Sequence, residues 1–252
     1  MENDDPLLRD TGRGITLFYK NRNLYSNEDP IGSAERRSRA AVLKENSVIF
    51  IPSPLLFYGI DGLLERLPPT CHVLCVECDE KLFLHTKECI PNRLLTDKRI
   101  TYVRTSDFAV PAEVVQNLGM HRFRRVQSVI ISGGYSLNSD FYRKAIDFLS
   151  GEIENFWKNR MTLIYMTPLW ISNIFANTRY IPRSIPLRSL RTEKPIFVVG
   201  AGESVEGALL FLKENTNLFS ILAVDTALPI LKEAGIIPDI IVSLEAQWAN
   251  LH

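Results

Sequence analysis

Pro195-Ile-Phe-Val-Val-Gly-Ala-Gly-Glu-Ser204 carries an apolar run of strand length, Ile196 to Val199, straight into a Gly-x-Gly turn. A segment with helical spacing follows, its apolar positions at Val205, Leu209, Leu210 and Leu212. Ile221-Leu-Ala-Val-Asp-Thr-Ala227 and Pro238-Asp-Ile-Ile-Val-Ser-Leu-Glu245 repeat the pattern of an apolar strand ending in polar residues. This alternation is that of a nucleotide-binding α/β domain. Gly200 and Gly202 let the backbone approach a ligand with no Cβ in the way, and the following helix offers unpaired N–H groups at its positive end. Ser204 is placed to cap that helix or to bond a phosphate oxygen. Asp225 ends the second strand about 23 residues beyond Gly202, where an acid commonly meets a ribose hydroxyl. The bare spacing is weak by itself, because Gly-x-Gly turns also serve as tight connections.

Four motifs in order make the segment more specific: Gly200-Ala-Gly-Glu-Ser-Val205, Val224-Asp-Thr-Ala227, Gly235-Ile-Ile-Pro-Asp239 and Ser243-Leu-Glu-Ala-Gln247. They resemble the central domain of the motility-associated glycosyltransferase factors (Maf proteins), a domain shared with archaeal 6-hydroxymethylpterin diphosphokinases and called MptE-like. Glu203 stands where that pattern has Pro, and Glu245 where it has Asp. A carboxylate beside a phosphate turn is compatible with an anion only if Glu203 points to solvent.

Composition bounds the function classes. With 252 residues, 46% hydrophobic and 23% charged, the sequence is that of a soluble globular protein with one large or two modest domains. Its 29 basic and 29 acidic residues cancel, so no global attraction to nucleic acid or to an anionic membrane is expected. The basic clusters Glu35-Arg-Arg-Ser-Arg39 and Arg122-Phe-Arg-Arg125 read as solvated faces. No secretory signal is apparent at Met1-Glu-Asn-Asp-Asp5 and no apolar run reaches 18 residues, so the expected location is cytoplasmic. Cys75 and Cys78 form a Cys-x-x-Cys pair, but Val73 to Glu77 reads as a buried strand in which Cys is a small apolar residue. Cys71, Cys75, Cys78 and Cys89 are therefore read as free thiols rather than as zinc ligands, and no metal site is expected.

From about residue 47 strands and helices alternate: strand Ser47–Pro52, helix Leu55–Leu67, strand His72–Glu77, helix Glu80–Cys89 and strand Ile100–Arg104. A helix near Pro111–Leu118, a strand at Val126–Ser132, a long helix at Asn138–Lys158 and a strand at Met161–Met166 follow. Continuous apolar strands between amphipathic helices argue for a mostly parallel, Rossmann-like sheet covered on both faces. Ile15 to Tyr25 alternates as a short hairpin, and Ser26-Asn-Glu-Asp-Pro-Ile31 starts a helix over Gly32–Glu45. This region also resembles the Maf amino terminus, in which a hairpin bearing His-Ser-x-x-Asp-Pro precedes a nucleotide-type fold. Tyr25 replaces that His, while Ser26, Asp29 and Pro30 fit. The expected organisation is a hairpin and helix at 1–46, a Rossmann-like domain at 47–180, a Pro- and Arg-rich linker at 181–194, and the first part of an MptE-like, sialyltransferase-like α/β domain at 195–252. Too few residues follow the linker for an independent core, so the second domain is expected to be cut short, or else the two pieces to pack into one joint sheet.

The amino-terminal sheet has its own candidate cleft. Ser53 follows its first strand, Glu77 and Asp79 end its second, where an acid binds ribose, and Gly133 and Gly134 follow its fourth. Pro52 and Pro54 remove N–H donors from the first turn, and Gly59 comes only later, so this domain reads as a structural relic of a nucleotide or S-adenosylmethionine site.

The resemblance implies transfer of a CMP-activated nonulosonic sugar to Ser or Thr hydroxyls of flagellin. Gly200, Gly202 and Ser204 would hold phosphate or ribose, Asp225 and Thr226 the nucleoside, and Glu245, Gln247 and Asn250 the donor side. A general base is expected outside this sequence, since the second domain offers only His252. A pyrophosphokinase using ATP and Mg²⁺, with Asp225, Asp239 and Glu245 as ligands, is the enzymatic alternative. A non-catalytic nucleotide-binding or interaction protein is the third reading. No protein cofactor, nucleic acid or membrane partner is indicated, and oligomeric state is not legible.

Overall fold

The chain opens on three short antiparallel strands, β1 (Leu7–Asp10), β2 (Ile15–Tyr19) and β3 (Arg22–Asn23). Lys20 and Asn21 both adopt left-handed backbone, φ 47° and 59°, which gives the two-residue turn whose twist suits a hairpin. The structure, a computed structural model, describes residues 5–186 and 189–243. Helix α1 (Pro30–Ala40) follows, with the Asp29 carboxylate accepting the Gly32 N–H at 2.9 Å and Pro30 in the first turn, as the turn motif implied. The chain falls into two compact units, residues 1–162 and 163–252.

The first unit continues through β4 (Ser47–Pro52), α2 (Ile60–Leu64), β5 (His72–Glu77), α3 (Glu80–Thr86), α4 (Asn92–Leu95), β6 (Ile100–Arg104), α5 (Val110–Gly119) and β7 (Arg125–Ser128). These four strands form one parallel sheet in the order β6-β5-β4-β7. Every residue of β4 and β5 is buried, because a central strand of a parallel sheet meets side chains on both faces. One face is covered by Ile60, Leu63 and Leu64 of α2 with Leu94 of α4. The other is covered by Ala112 and Val115 of α5 with Tyr142, Ala145, Leu149 and Ile153 of the next helix, α6 (Ser139–Asn177). The expected mixed α/β class, with an antiparallel hairpin beside a parallel sheet, is what is found.

The helix read at Gly32–Glu45 is found at Pro30–Ala40 and the strand read at Val126–Ser132 at Arg125–Ser128, and two elements differ more substantially from expectation. Helix α6 runs on through Met161–Met166, where a strand was read, and through Pro168 to Asn177. A six-residue apolar run does not by itself distinguish strand from helix. No residue of Met161–Met166 is buried, so no partner strand selects the extended form, and propagating an existing helix costs no new nucleus. The first sheet therefore has four strands, with β7 at one edge. The second difference lies after β4, where the helix expected at Leu55–Leu67 is cut to Ile60–Leu64 because residues 53–59 form an irregular loop.

In the second unit β8 (Ile196–Val199), α7 (Val205–Glu214), β9 (Ser220–Val224), α8 (Leu228–Glu233) and β10 (Ile240–Val242) build a parallel sheet in the order β10-β9-β8. Val199, Ile221 and Ala223 pack with Leu212 of α7, Leu231 of α8 and Ile236.

Packing along α6 predicts a contrast within one helix. Leu149→Ala, at a fully buried site, is expected to destabilise the first unit by about 2–5 kcal/mol, whereas Leu163→Ala, at a position 54% exposed, should change stability by less than about 0.5 kcal/mol. Urea unfolding of both variants measures the difference; equal losses would mean that α6 packs differently.

Candidate functional site

In the second unit the three parallel strands are laid side by side in sequence order, so their carboxyl ends share one edge, where open α/β sheets hold ligands. The turn from Gly200 to Ser204 leaves β8 at this edge and enters α7, with the Val205 N–H bonded to the Gly202 carbonyl at 3.0 Å. Neither glycine has the left-handed backbone that would demand it. A Cβ added at Gly200 meets nothing within 4 Å, and one at Gly202 meets only the Ser204 Oγ at 3.9 Å. The described fold therefore does not require either glycine. What they leave is bare backbone around a depression of about 260 Å³ lined by Val199, Gly200, Gly202, Ser204, Val205 and Ala208 among others. Ser204 adopts helical backbone and makes no capping bond, so of its two expected roles only the ligand-facing one is free. Glu203 is exposed, which meets the condition for an anion at the turn.

Asp225 follows β9 at the same edge. Its Oδ1 accepts the Thr226 N–H at 2.8 Å and its Oδ2 accepts the Ser243 hydroxyl at 2.5 Å, tying the ends of β9 and β10 together. Thr226 and Ser243 are exposed and Asp225 is partly so. Ser243 opens one of the four motifs but carries no site role in the sequence reading; a hydroxyl one residue past a strand end, level with the acid of the neighbouring strand, is the signal for it. Glu245, Gln247 and Asn250 lie outside the described residues.

Asp239 lies elsewhere. Its backbone N–H bonds the Ile221 carbonyl at 2.9 Å and its Oδ2 accepts the Ile221 N–H at 2.8 Å, which fixes it at the start of β9. Ile221 and Asp225 are four residues apart along an extended strand, about 13 Å. Asp239 thus sits at the opposite edge from Asp225 and cannot share a cation with it, contrary to the ligand set read from sequence. No cluster of three or more His, Cys, Asp or Glu suited to a metal occurs among the described residues.

The candidate cleft of the first unit falls between β4 and β7, where the strand order reverses. The structure brings Ser53, Glu77 and Gly134 together there but packs them shut. Glu77 is fully buried; its Oε2 accepts the Ser53 hydroxyl at 2.7 Å and its Oε1 accepts the Asp79 N–H at 2.9 Å and the Tyr142 hydroxyl at 3.1 Å. A Cβ at Gly134 would lie 2.1 Å from the Ser53 Oγ, so only glycine fits. The Gly133 N–H donates to the Leu24 carbonyl at 2.6 Å, and the Tyr25 hydroxyl donates to the Pro54 carbonyl at 2.9 Å while accepting the Leu56 N–H at 3.2 Å. The end of the hairpin therefore occupies the crevice a ligand would use. Asp79 caps α3 through the Lys81 and Leu82 N–H groups and pairs with Lys20 of the hairpin at 3.5 Å. Tyr142 and the plugging role of Leu24 and Tyr25 were not legible, since their partners are more than 28 residues away.

Burial is the main influence on Glu77 and pushes its carboxyl above the usual range, against the three donors that favour the anion. A carboxyl whose folded pKa is raised makes the native state bind more protons than the unfolded chain, so stability falls as pH rises from the ordinary glutamate value, about 4.3, through the raised folded value. Glu77→Gln removes that proton. Urea midpoints measured across this window should fall more steeply with pH in the parent protein than in the variant; parallel curves would refute the assignment.

Residues 172–252 match the family model described as 6-hydroxymethylpterin diphosphokinase MptE-like. An uncharacterized protein of Treponema pallidum (strain Nichols) is 29% identical over 254 residues, covering 96% of this chain and 43% of its own length. A second uncharacterized protein of the same organism is 29% identical over 88 residues, 34% of this chain and 42% of that one. Among solved structures, the MAf glycosyltransferase of Magnetospirillum magneticum AMB-1 aligns with all of this chain and 47% of its own, at a TM-score of 0.59 and 15% identity. The matched stretch covers less than half the length of each of these proteins. It carries an MptE-like domain and shares its α/β fold with a Maf glycosyltransferase.

Proposed function

We propose that the second unit binds the nucleotide of a CMP-activated nonulosonic sugar and that the chain belongs to a Maf-type glycosyltransferase, acting in the cytoplasm on Ser or Thr hydroxyls of a protein such as flagellin. The observation that carries this reading is the common edge shared by the Gly200–Ser204 turn and the Asp225–Ser243 pair, with two glycines that the described fold does not need. Backbone N–H groups at the start of α7 and the Ser204 hydroxyl would meet the phosphate, and the helix dipole would favour its charge as the sugar departs. Asp225 would exchange the Ser243 hydroxyl for a ribose hydroxyl, and Thr226 would add a further contact. Glu245, Gln247 and Asn250, outside the described residues, are assigned to the donor side. The base that deprotonates the acceptor is assigned to none of the described residues. The first unit, its crevice filled by Leu24 and Tyr25, would serve as scaffold rather than as a second nucleotide site.

The description of the matching family model favours a second reading, diphosphate transfer from ATP to a pterin alcohol. That chemistry needs Mg²⁺ between phosphates and carboxylates, and the position of Asp239 leaves Asp225 without it as a partner.

Calorimetric titration with CMP, with ATP with and without Mg²⁺, and with S-adenosylmethionine separates the readings. CMP should bind, and S-adenosylmethionine should not. Gly202→Val should keep the parent Tm yet lose at least about tenfold in CMP affinity, because a side chain there meets ligand and not protein. Asp225→Asn should weaken CMP by a similar factor. Binding of ATP only when Mg²⁺ is present would move the assignment to the pyrophosphokinase, and unchanged CMP affinity in Gly202→Val would remove the turn from the site.

A further inference from the structure

Strand β7 is an edge strand; its neighbour in the sheet is β4, and nothing among the described residues pairs its other side. Around its start stand four exposed arginines, Arg122, Arg124, Arg125 and Arg160. No carboxylate lies within ion-pair distance of any of them among the described residues; Arg36, Arg39, Arg93, Arg99, Arg104 and Arg143 of the same unit each have one, while Arg9, Arg13, Arg22, Arg37 and Arg66 likewise have none but do not gather at one strand end. Three of the four are held in place by aromatic rings. The Arg124 guanidinium lies 3.1 Å from the centre of the Trp157 ring and that of Arg160 5.9 Å from it, while the Arg122 guanidinium lies 5.4 Å from the centre of the Phe123 ring. Trp157 is itself fixed by its indole N–H, which donates to the Phe123 carbonyl at 2.6 Å. Stacking on a ring orders a guanidinium while leaving N–H groups to meet oxygen anions, although the Arg122 Nη1 already donates to the Leu118 carbonyl at 3.3 Å. Beyond the other end of the strand, Ile130 is 41% exposed.

An unpaired edge offers main-chain groups to an extended chain, and four clustered cations at one end, three of them beside aromatic rings, select its charge. We propose that β7 is a docking edge for an extended acidic segment of a partner protein, which adds to the sheet as a fifth strand and sets its carboxylates on Arg122, Arg124, Arg125 and Arg160. The bulk of the segment lies on the backbone, so its sequence is constrained chiefly by its negative charge and by the absence of proline.

Fluorescence anisotropy with the full chain and a labelled alternating Glu-Val peptide, about eight residues long to match a strand, tests this at low salt. The expected result is binding that weakens about tenfold or more in Arg125→Glu and in Arg160→Glu, two changes on different elements, and that is likewise lost when alternate residues of the peptide are proline. Far-UV circular dichroism of each variant establishes that it is folded, and the exposed position of both side chains makes loss of fold in both unexpected. Four outcomes overturn the proposal: no binding; equal binding of the proline peptide, which would reduce the site to unspecific charge attraction; tighter binding of an oligonucleotide of matched charge; and variants that self-associate with unchanged peptide affinity, which would make the arginines guards against edge-to-edge pairing.

Discussion

A carboxylate removed from water must receive its hydrogen bonds from the protein, and Glu77 receives three, from Ser53, Asp79 and Tyr142. Those donors come from the loop after β4, the residues after β5 and the first turn of α6, so one buried group fixes the geometry of three separate elements. The loop it anchors is strained. Ser53, Leu55 and Phe57 all hold left-handed backbone, φ 46°, 51° and 61°, at about 1–2 kcal/mol each for residues with a Cβ. That conformation persists because Leu55 and Phe57 are buried and because Tyr25 bonds both the Pro54 carbonyl and the Leu56 N–H. Hairpin, loop and carboxylate thus support one another, and a nucleotide could enter the crevice only by dismantling all three.

The two parallel sheets put the carboxyl ends of their strands to opposite uses. In the first, the place where the chain reverses across the sheet is filled by protein: a Cβ at Gly134 would collide with Ser53 and the Gly133 N–H is spent on Leu24. In the second, the glycines at the equivalent end of β8 border open space and Ser204 makes no capping bond. Glycine is thus demanded by packing in one sheet and by no feature of the described residues in the other. That difference directs the search for ligand chemistry to the second unit.

Much of this was legible in the chain. The strands at Ser47–Pro52, His72–Glu77 and Ile100–Arg104 could be read because central parallel strands are apolar throughout, and Asp29-Pro30 announced the start of α1 because capping and a fixed φ are local effects. Met161–Met166 could not be read, since a short run of Leu, Ile, Met and Tyr suits either helix or strand and its state depends on whether a partner is at hand. Asp239 was misplaced for a related reason. Sequence shows an acid beside a strand, but only the register of β9 against β10 shows at which end of the sheet it stands.

By itself, then, the sequence determined the alternation of strands and helices, the Gly-x-Gly turn and the acid that follows β9, because periodicity, turn chemistry and capping act over a few residues. Only the tertiary structure decided that Leu24 and Tyr25 would close the first crevice, that Asp225 would meet Ser243 while Asp239 would not, and that no described strand would pair the outer edge of β7. Each of these depends on which distant backbone the side chain or strand meets, and such pairings are settled by the packing of the whole sheet rather than by any neighbour in the chain.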